Sequence, residues 1–192
     1  MIKSISVLKL QIETEQHVVD ARQRARQISR SLGFDNQDQV RIATATSELA
    51  RNAYQYAGGG VMTFSIDLSA RPQIFYVEVA DRGPGIPHYN TILEGSYVSK
   101  TGMGVGLMGA KKLSDHFDLQ TDKTGTTVTL GKDLGPKILI TPAEITNLSD
   151  ELFRNRPDSP FAEMQRQNVE LLRAMEELNA RQTELSDLNQ EL

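Results

Sequence analysis

The sequence contains no cysteine, only three histidines, and no apolar run approaching the roughly 20 residues of a membrane span. Without cysteine there is no disulfide framework, no thiol catalysis and no zinc-thiolate site. His17, His88 and His116 are scattered, so no pair stands at helical spacing to hold a transition metal. The N-terminal stretch MIKSISVLKLQIETEQ alternates and carries charge where a signal peptide has an apolar block, so a cytoplasmic protein that does not enter membranes is expected. Basic residues are not gathered into a stripe with interleaved aromatics, and no nucleic-acid partner is expected. The formal net charge of −4 is concentrated at one end. Residues 161–192 hold three Arg against seven acidic residues, leaving a neutral body of 18 basic and 18 acidic side chains.

What is present suffices for one full core with an appendage: 192 residues, 39% of them hydrophobic. Residues 5–12, ISVLKLQI, alternate as a strand. Val18, Ala21, Ala25, Ile28 and Leu32 recur at helical spacing, and Gly33 stands where a helix end takes a left-handed residue. A second helix is predicted from an N-cap at Asp35 to Ala57, packing through Val40, Ala43, Ala50 and Tyr54 and ended by Gly58-Gly59-Gly60. The period then drops to two in VMTFSIDLS and QIFYVEVA, which should pair antiparallel across the Arg71-Pro72 turn. GVGLMGAKKLSDHF reads as a helix opened by a glycine loop, and residues 117–131 as a final hairpin. The order β, α, α, β, β, loop, α, β, β suits an α+β sandwich with helices on one face of a mostly antiparallel sheet. Thr141-Pro142-Ala143-Glu144 is a capping box with proline at the first helical position, predicting a helix over 142–154.

The segment SELARN, residues 47–52, puts Glu48 and Asn52 one turn apart on the second helix, side by side on one face. They form either a solvated stripe or a shared ligand site. Three glycine-bearing segments follow: Asp81-Arg82-Gly83-Pro84-Gly85-Ile86 after a strand, Gly102 to Gly109 leading into a helix, and Gly125-Thr126-Thr127 opening the last strand. Asp81-Arg82-Gly83 alone reads equally as a hairpin turn. The 102–109 loop is not a dinucleotide fingerprint, which belongs in the first turn of a parallel strand-to-helix unit. Taken together, the four have one physical account. A glycine loop at a helix N-terminus offers bare amides and a positive dipole end to phosphates. A buried Asp81 can accept from an amino group, with Gly83 and Gly85 letting a base lie against backbone. Asn52 offers a neutral oxygen to Mg²⁺, and Glu48 can take a proton from an attacking hydroxyl.

The same residues, in this order and spacing, resemble the GHKL ATP-binding fold shared by gyrase B, histidine kinases and MutL, a Bergerat-type ATP-binding sandwich. SELARN with YAGGG, DRGPGI, and GMGVGLMGAKKLSDHF followed by GTTV resemble more narrowly the anti-sigma-factor serine/threonine kinases of the RsbT switch-kinase type, over residues 5–132. The resemblance implies ATP and Mg²⁺ as cofactors, Asn52 on the metal, Glu48 as general base and Asp81 on the adenine amino group, with Gly83 and Gly85 shaping that pocket. It further implies Gly102, Gly104 and Gly106 as a phosphate lid, Lys100 as either a phosphate contact or a solvated lysine, and Thr126 on the adenine side. The implied activity is phosphorylation of a serine on a partner with the sulfate-transporter and anti-sigma-antagonist (STAS) fold.

The chain departs from that family in its last sixty residues. Met164, Leu171, Leu178, Leu185 and Leu192 fall every seven residues, with Asn168, Met175, Gln182 and Asn189 four residues after the first four. That is an a/d seam, and asparagine at a favours a parallel two-stranded coil. The expected division is an ATP-binding domain over 1–135, a short helix and linker over 136–160, and a helical coiled coil making a homodimer over 161–192. Two further readings stay open: a nucleotide-switched binding module at the head of a larger sensor kinase or phosphatase, and a histidine-kinase catalytic domain, which residues 161–192 disfavour by lacking a phosphoacceptor histidine.

Overall fold

The computed structural model describes residues 4–86 and 103–154. The alternating segments form five strands, β1 (Ser4–Ile12), β2 (Gly60–Asp67), β3 (Ile74–Asp81), β4 (His116–Asp122) and β5 (Gly125–Asp133). All neighbours pair antiparallel, in the order β1-β2-β3-β5-β4. Register decides which side is buried. Phe64 stands opposite Leu8 and Val77, Met62 opposite Leu10 and Val79, and Val77 and Val79 in turn face Leu130 and Val128. Partners across an antiparallel ladder share a face, so this apolar set forms one surface. Lys9, Glu78, Asp118 and Gln120 lie exposed on the other. The helices α1 (Glu15–Ser31), α2 (Asn36–Ala57) and α3 (Met103–Leu113) cover the apolar face, with α2 packed between α1 and α3. The architecture is α+β, as expected.

The helix ends follow local chemistry. Thr14 caps α1, its hydroxyl oxygen accepting from the His17 amide at 3.3 Å. Asp35 caps α2 by accepting from the Asp38 amide at 2.8 Å, and Gly58 ends it with φ +72. Val18, Ala21, Ala25, Ile28 and Leu32 are all buried. Two positions expected to pack α2 do not: Val40 is 48% exposed and Tyr54 36%. They are fourteen residues apart, nearly four turns, and share the outward stripe that also carries exposed Arg51. The third helix is shorter than GVGLMGAKKLSDHF suggested. It ends at Leu113, because the Asp115 amide is claimed by Gly131 O at 2.9 Å and His116 opens β4.

The fourth helix, α4 (Pro142–Arg154), forms on its capping box: Glu144 Oε2 accepts from the Thr141 amide at 2.8 Å, and Thr141 Oγ1 accepts from the Glu144 amide at 3.3 Å. Ile145, Leu148 and Leu152 are buried in the common core, and Ser149 Oγ donates to Val7 O at the β1 bulge. Buried Gln73 fastens the approach to α4, donating to Ile140 O at 3.0 Å and accepting from Ile140 N at 2.7 Å. The compact unit runs through to Leu152. The heptad seam of residues 161–192 lies outside the described residues.

A charge cluster closes the end of β5 remote from Gly125. Lys132 Nζ reaches Asp115 at 2.9 Å and Asp38 at 3.4 Å. Partial burial pushes the Asp115 carboxyl up, but hydrogen bonds from the Lys132 ammonium and the Asp133 amide outweigh it and hold the group below its usual value. A carboxylate lowered on folding stabilises the protein fully above its unfolded pKa of about 4, and that stabilisation is lost as pH falls through the folded value. Urea midpoints measured downward from about pH 5 are expected to fall less steeply in Asp115→Asn than in the native chain.

Candidate functional site

The helical spacing of Glu48 and Asn52 becomes a shared location because α3 crosses α2 beside them. A Cβ at position 106 would stand 2.6 Å from Glu48 Oε2 and 3.8 Å from Asn52 Nδ2. Only a glycine lets the α3 backbone come this close to the carboxylate. Both side chains are half-buried, so the pair is neither a solvated stripe nor part of the sealed core.

Next to this crossing lies a cavity of about 220 Å³ between α2, the end of β3, α3 and the start of β5. A single water takes about 30 Å³, so the space is that of an organic ligand. Its walls are mostly apolar: Leu49, Ala53, Val79, Leu107 and Val128. Four side chains with polar groups, Asn52, Tyr56, Asp81 and Thr126, line it, as do Gly83 and Gly85. Few polar groups in an apolar pocket is the arrangement by which small-molecule sites fix orientation.

Asp81 closes the strand β3 and is half-buried, less enclosed than the sequence suggested. Its Oδ1 accepts from the Gly83 amide at 2.9 Å and the Thr126 amide at 3.1 Å. Its second oxygen has no hydrogen-bond partner among the described residues, so the carboxylate is held by one oxygen and presents the other. Gly85 has φ +78, and a side chain there would run into the Asp122 carbonyl, so the 83–86 loop lies directly on the β4–β5 hairpin.

The expected site residues thus divide. Asn52, Asp81, Gly83, Gly85 and Thr126 line one cavity, and Glu48 sits one turn from Asn52, against Gly106, outside the cavity lining. Gly104 and Gly106 are inside α3, which starts at Met103, and not in a loop ahead of it. Glycine disfavours a helix by about 1 kcal/mol relative to alanine, and the close approach at Glu48 is what position 106 gains from it. Lys100 and Gly102 lie outside the described residues. The sequence motifs do not single out the remaining lining residues, among them Tyr56, Ala57, Ile86 and Leu107. Tyr56 had a signal, since positions 48, 52 and 56 continue one stripe at four-residue spacing.

Gly106→Ala tests the close approach. The clash is with the far end of a flexible side chain, so the variant is expected to fold with stability within about 1 kcal/mol of native.

Fold and cavity together define an α+β domain with a ligand pocket between its helical layer and its sheet. The histidine kinase-like ATPase domain family matches residues 12–132, and the chain belongs to that family. It is 40% identical over 112 residues to the serine/threonine-protein kinase RsbT of Bacillus subtilis (strain 168), a span covering 58% of this chain and 84% of that protein. The chain is an RsbT-like member of the family, of the serine/threonine kinase type.

Proposed function

We propose that the cavity binds ATP and that the chain transfers its γ-phosphate to a serine of a partner protein with the STAS fold, in cytoplasmic partner-switching signalling. The observation that carries this reading is the convergence of Asn52, Asp81 and Thr126 on one cavity with Glu48 a helical turn away. The free oxygen of Asp81 would accept from the adenine amino group, and the Thr126 hydroxyl would meet the neighbouring ring edge. Gly85 lets the loop lie against the hairpin at Asp122 and Gly83 lets it pass close to Ala57 of α2, which would leave the base room between them.

Among the described residues no three acidic or imidazole groups gather to hold a metal by themselves. Mg²⁺, which keeps waters and phosphate oxygens in its shell, would take one oxygen from Asn52. Bound there, it would neutralise charge on the transferring phosphate. Glu48 would take the proton of the attacking serine hydroxyl, its carboxylate lying near Asn52 in the space that glycine at 106 leaves open. Gly102, Gly104 and Lys100 would serve the phosphate side. The test is transfer of label from γ-labelled ATP to a serine-bearing STAS protein. Label on the partner with native chain, and none with Glu48→Ala, is the expected result; a substrate labelled equally by both removes Glu48 from the reaction.

One observation favours a second reading. The family match stops at residue 132, and the sixty residues beyond it hold α4 and the heptad seam. We infer that residues 161–192 make a parallel homodimer, which would let nucleotide binding be relayed to an attached output. Under that reading nucleotide changes partner affinity while no phosphate moves.

A further inference from the structure

The β4–β5 hairpin contains a hydroxyl pair that does not reach the cavity as a whole. Thr121 and Thr126 are cross-strand partners, and their Oγ1 atoms are 3.0 Å apart. Thr126 is 6% exposed and lines the cavity, whereas Thr121 stands behind it, outside the lining. Thr121 Oγ1 also accepts from the Ile86 amide at 2.9 Å, which ties the end of the 83–86 loop to the hairpin. On the other side, the Thr126 amide donates to Asp81 Oδ1. One chain of bonds therefore joins the loop, both threonines and the aspartate.

We propose that Thr121 is a positioning residue that sets the Thr126 hydroxyl as a hydrogen-bond donor into the cavity and so makes the site selective for a base with an unprotonated ring nitrogen beside its amino group. This rests on the adenine-nucleotide reading above. A hydroxyl has one proton and two lone pairs. Thr121 spends a lone pair on the Ile86 amide, and its only hydroxyl partner among the described residues is Thr126. Donating to Thr126 satisfies the Thr121 proton and leaves the Thr126 proton directed at the cavity that Thr126 lines. The site then offers an acceptor, the free oxygen of Asp81, next to a donor, the Thr126 hydroxyl. That pair complements the amino group and N1 of adenine. With the opposite polarity Thr126 would present only lone pairs, and its oxygen would face N1 acceptor to acceptor.

Calorimetry with ATP and with 1-deaza-ATP, in which N1 is replaced by C–H and the amino group is retained, tests this on the full chain, Thr121→Val and Thr121→Ser. The native chain and Thr121→Ser are expected to favour ATP over the analogue. Thr121→Val keeps the shape and the strand preference but has no hydroxyl. It is expected to weaken ATP binding by about tenfold and leave the analogue nearly unchanged, so the ratio collapses. A lower melting temperature with the native ratio in Thr121→Val would mean a purely structural threonine and overturn the proposal, as would loss of selectivity in Thr121→Ser. Should Thr121→Val fail to fold, Thr121→Ala, which also lacks the hydroxyl, decides by the same ratio: collapse supports the proposal and the native ratio overturns it. No ATP uptake by the native chain overturns the adenine reading itself, an outcome distinct from native uptake without selectivity, which overturns the role of Thr121 alone.

Discussion

Asp81→Asn is expected to lose ATP binding by about 100-fold while melting within a few degrees of the native protein. The reason is the division of labour between the two carboxylate oxygens. Oδ1 accepts from the amides of Gly83 and Thr126 and is the structural half. An asparagine keeps that acceptor, so the loop and the hairpin stay joined. It replaces the free oxygen with an NH₂, which turns a donor toward the donating amino group of adenine. The ligand amino group would then be buried unpaired, and a desolvated group facing a like partner loses far more than a hydrogen bond exchanged with water. Calorimetric Kd beside a melting curve checks both halves. Equal weakening of binding and fold would mean that Asp81 is only a loop anchor.

Glu48→Gln is expected to show the converse pattern: ATP uptake within about twofold of native, and phosphotransfer slowed by about 10²- to 10⁴-fold, the range of a lost general base. Glu48 lies outside the cavity lining, so binding in the cavity is not expected to depend on its charge. It stands instead beside Asn52 and the α3 backbone at Gly106, where an incoming hydroxyl would meet the phosphate side. Single-turnover transfer to the partner separates this from a binding defect. A Glu48→Gln chain that transfers phosphate at the native rate would assign the proton to another group.

How far the site could be read in advance depends on where its information is stored. Asp35, Gly58 and the Thr141–Glu144 box are local signals, each satisfied by hydrogen bonds within five residues, and all three appear where the sequence put them. The spacing of Glu48 and Asn52 is likewise local. Val40 and Tyr54 depart from the expected packing because the apolar arc of α2 is fixed by where α1 and α3 lie, which spacing within α2 does not contain. The same holds for α3. GMGVGLMG reads as a loop by composition, since glycine disfavours helices, yet the approach of Gly106 to Glu48 is a tertiary contact that overrides propensity. Thr121 was passed over although TDKTGTT encodes it: a turn across Asp122 and Gly125 sets Thr121 opposite Thr126. Its meaning comes from the Ile86 amide, thirty-five residues earlier, which only the folded hairpin brings near.

The most direct measurement is an isothermal titration of the full chain with ATP, with and without Mg²⁺. Saturable binding that tightens with Mg²⁺ in the native chain, loses the Mg²⁺ increment in Asn52→Ala and is nearly abolished in Asp81→Asn is the result expected of a cavity built for a metal-chelated adenine nucleotide. Absence of heat at millimolar ATP, with the protein folded, would contradict it.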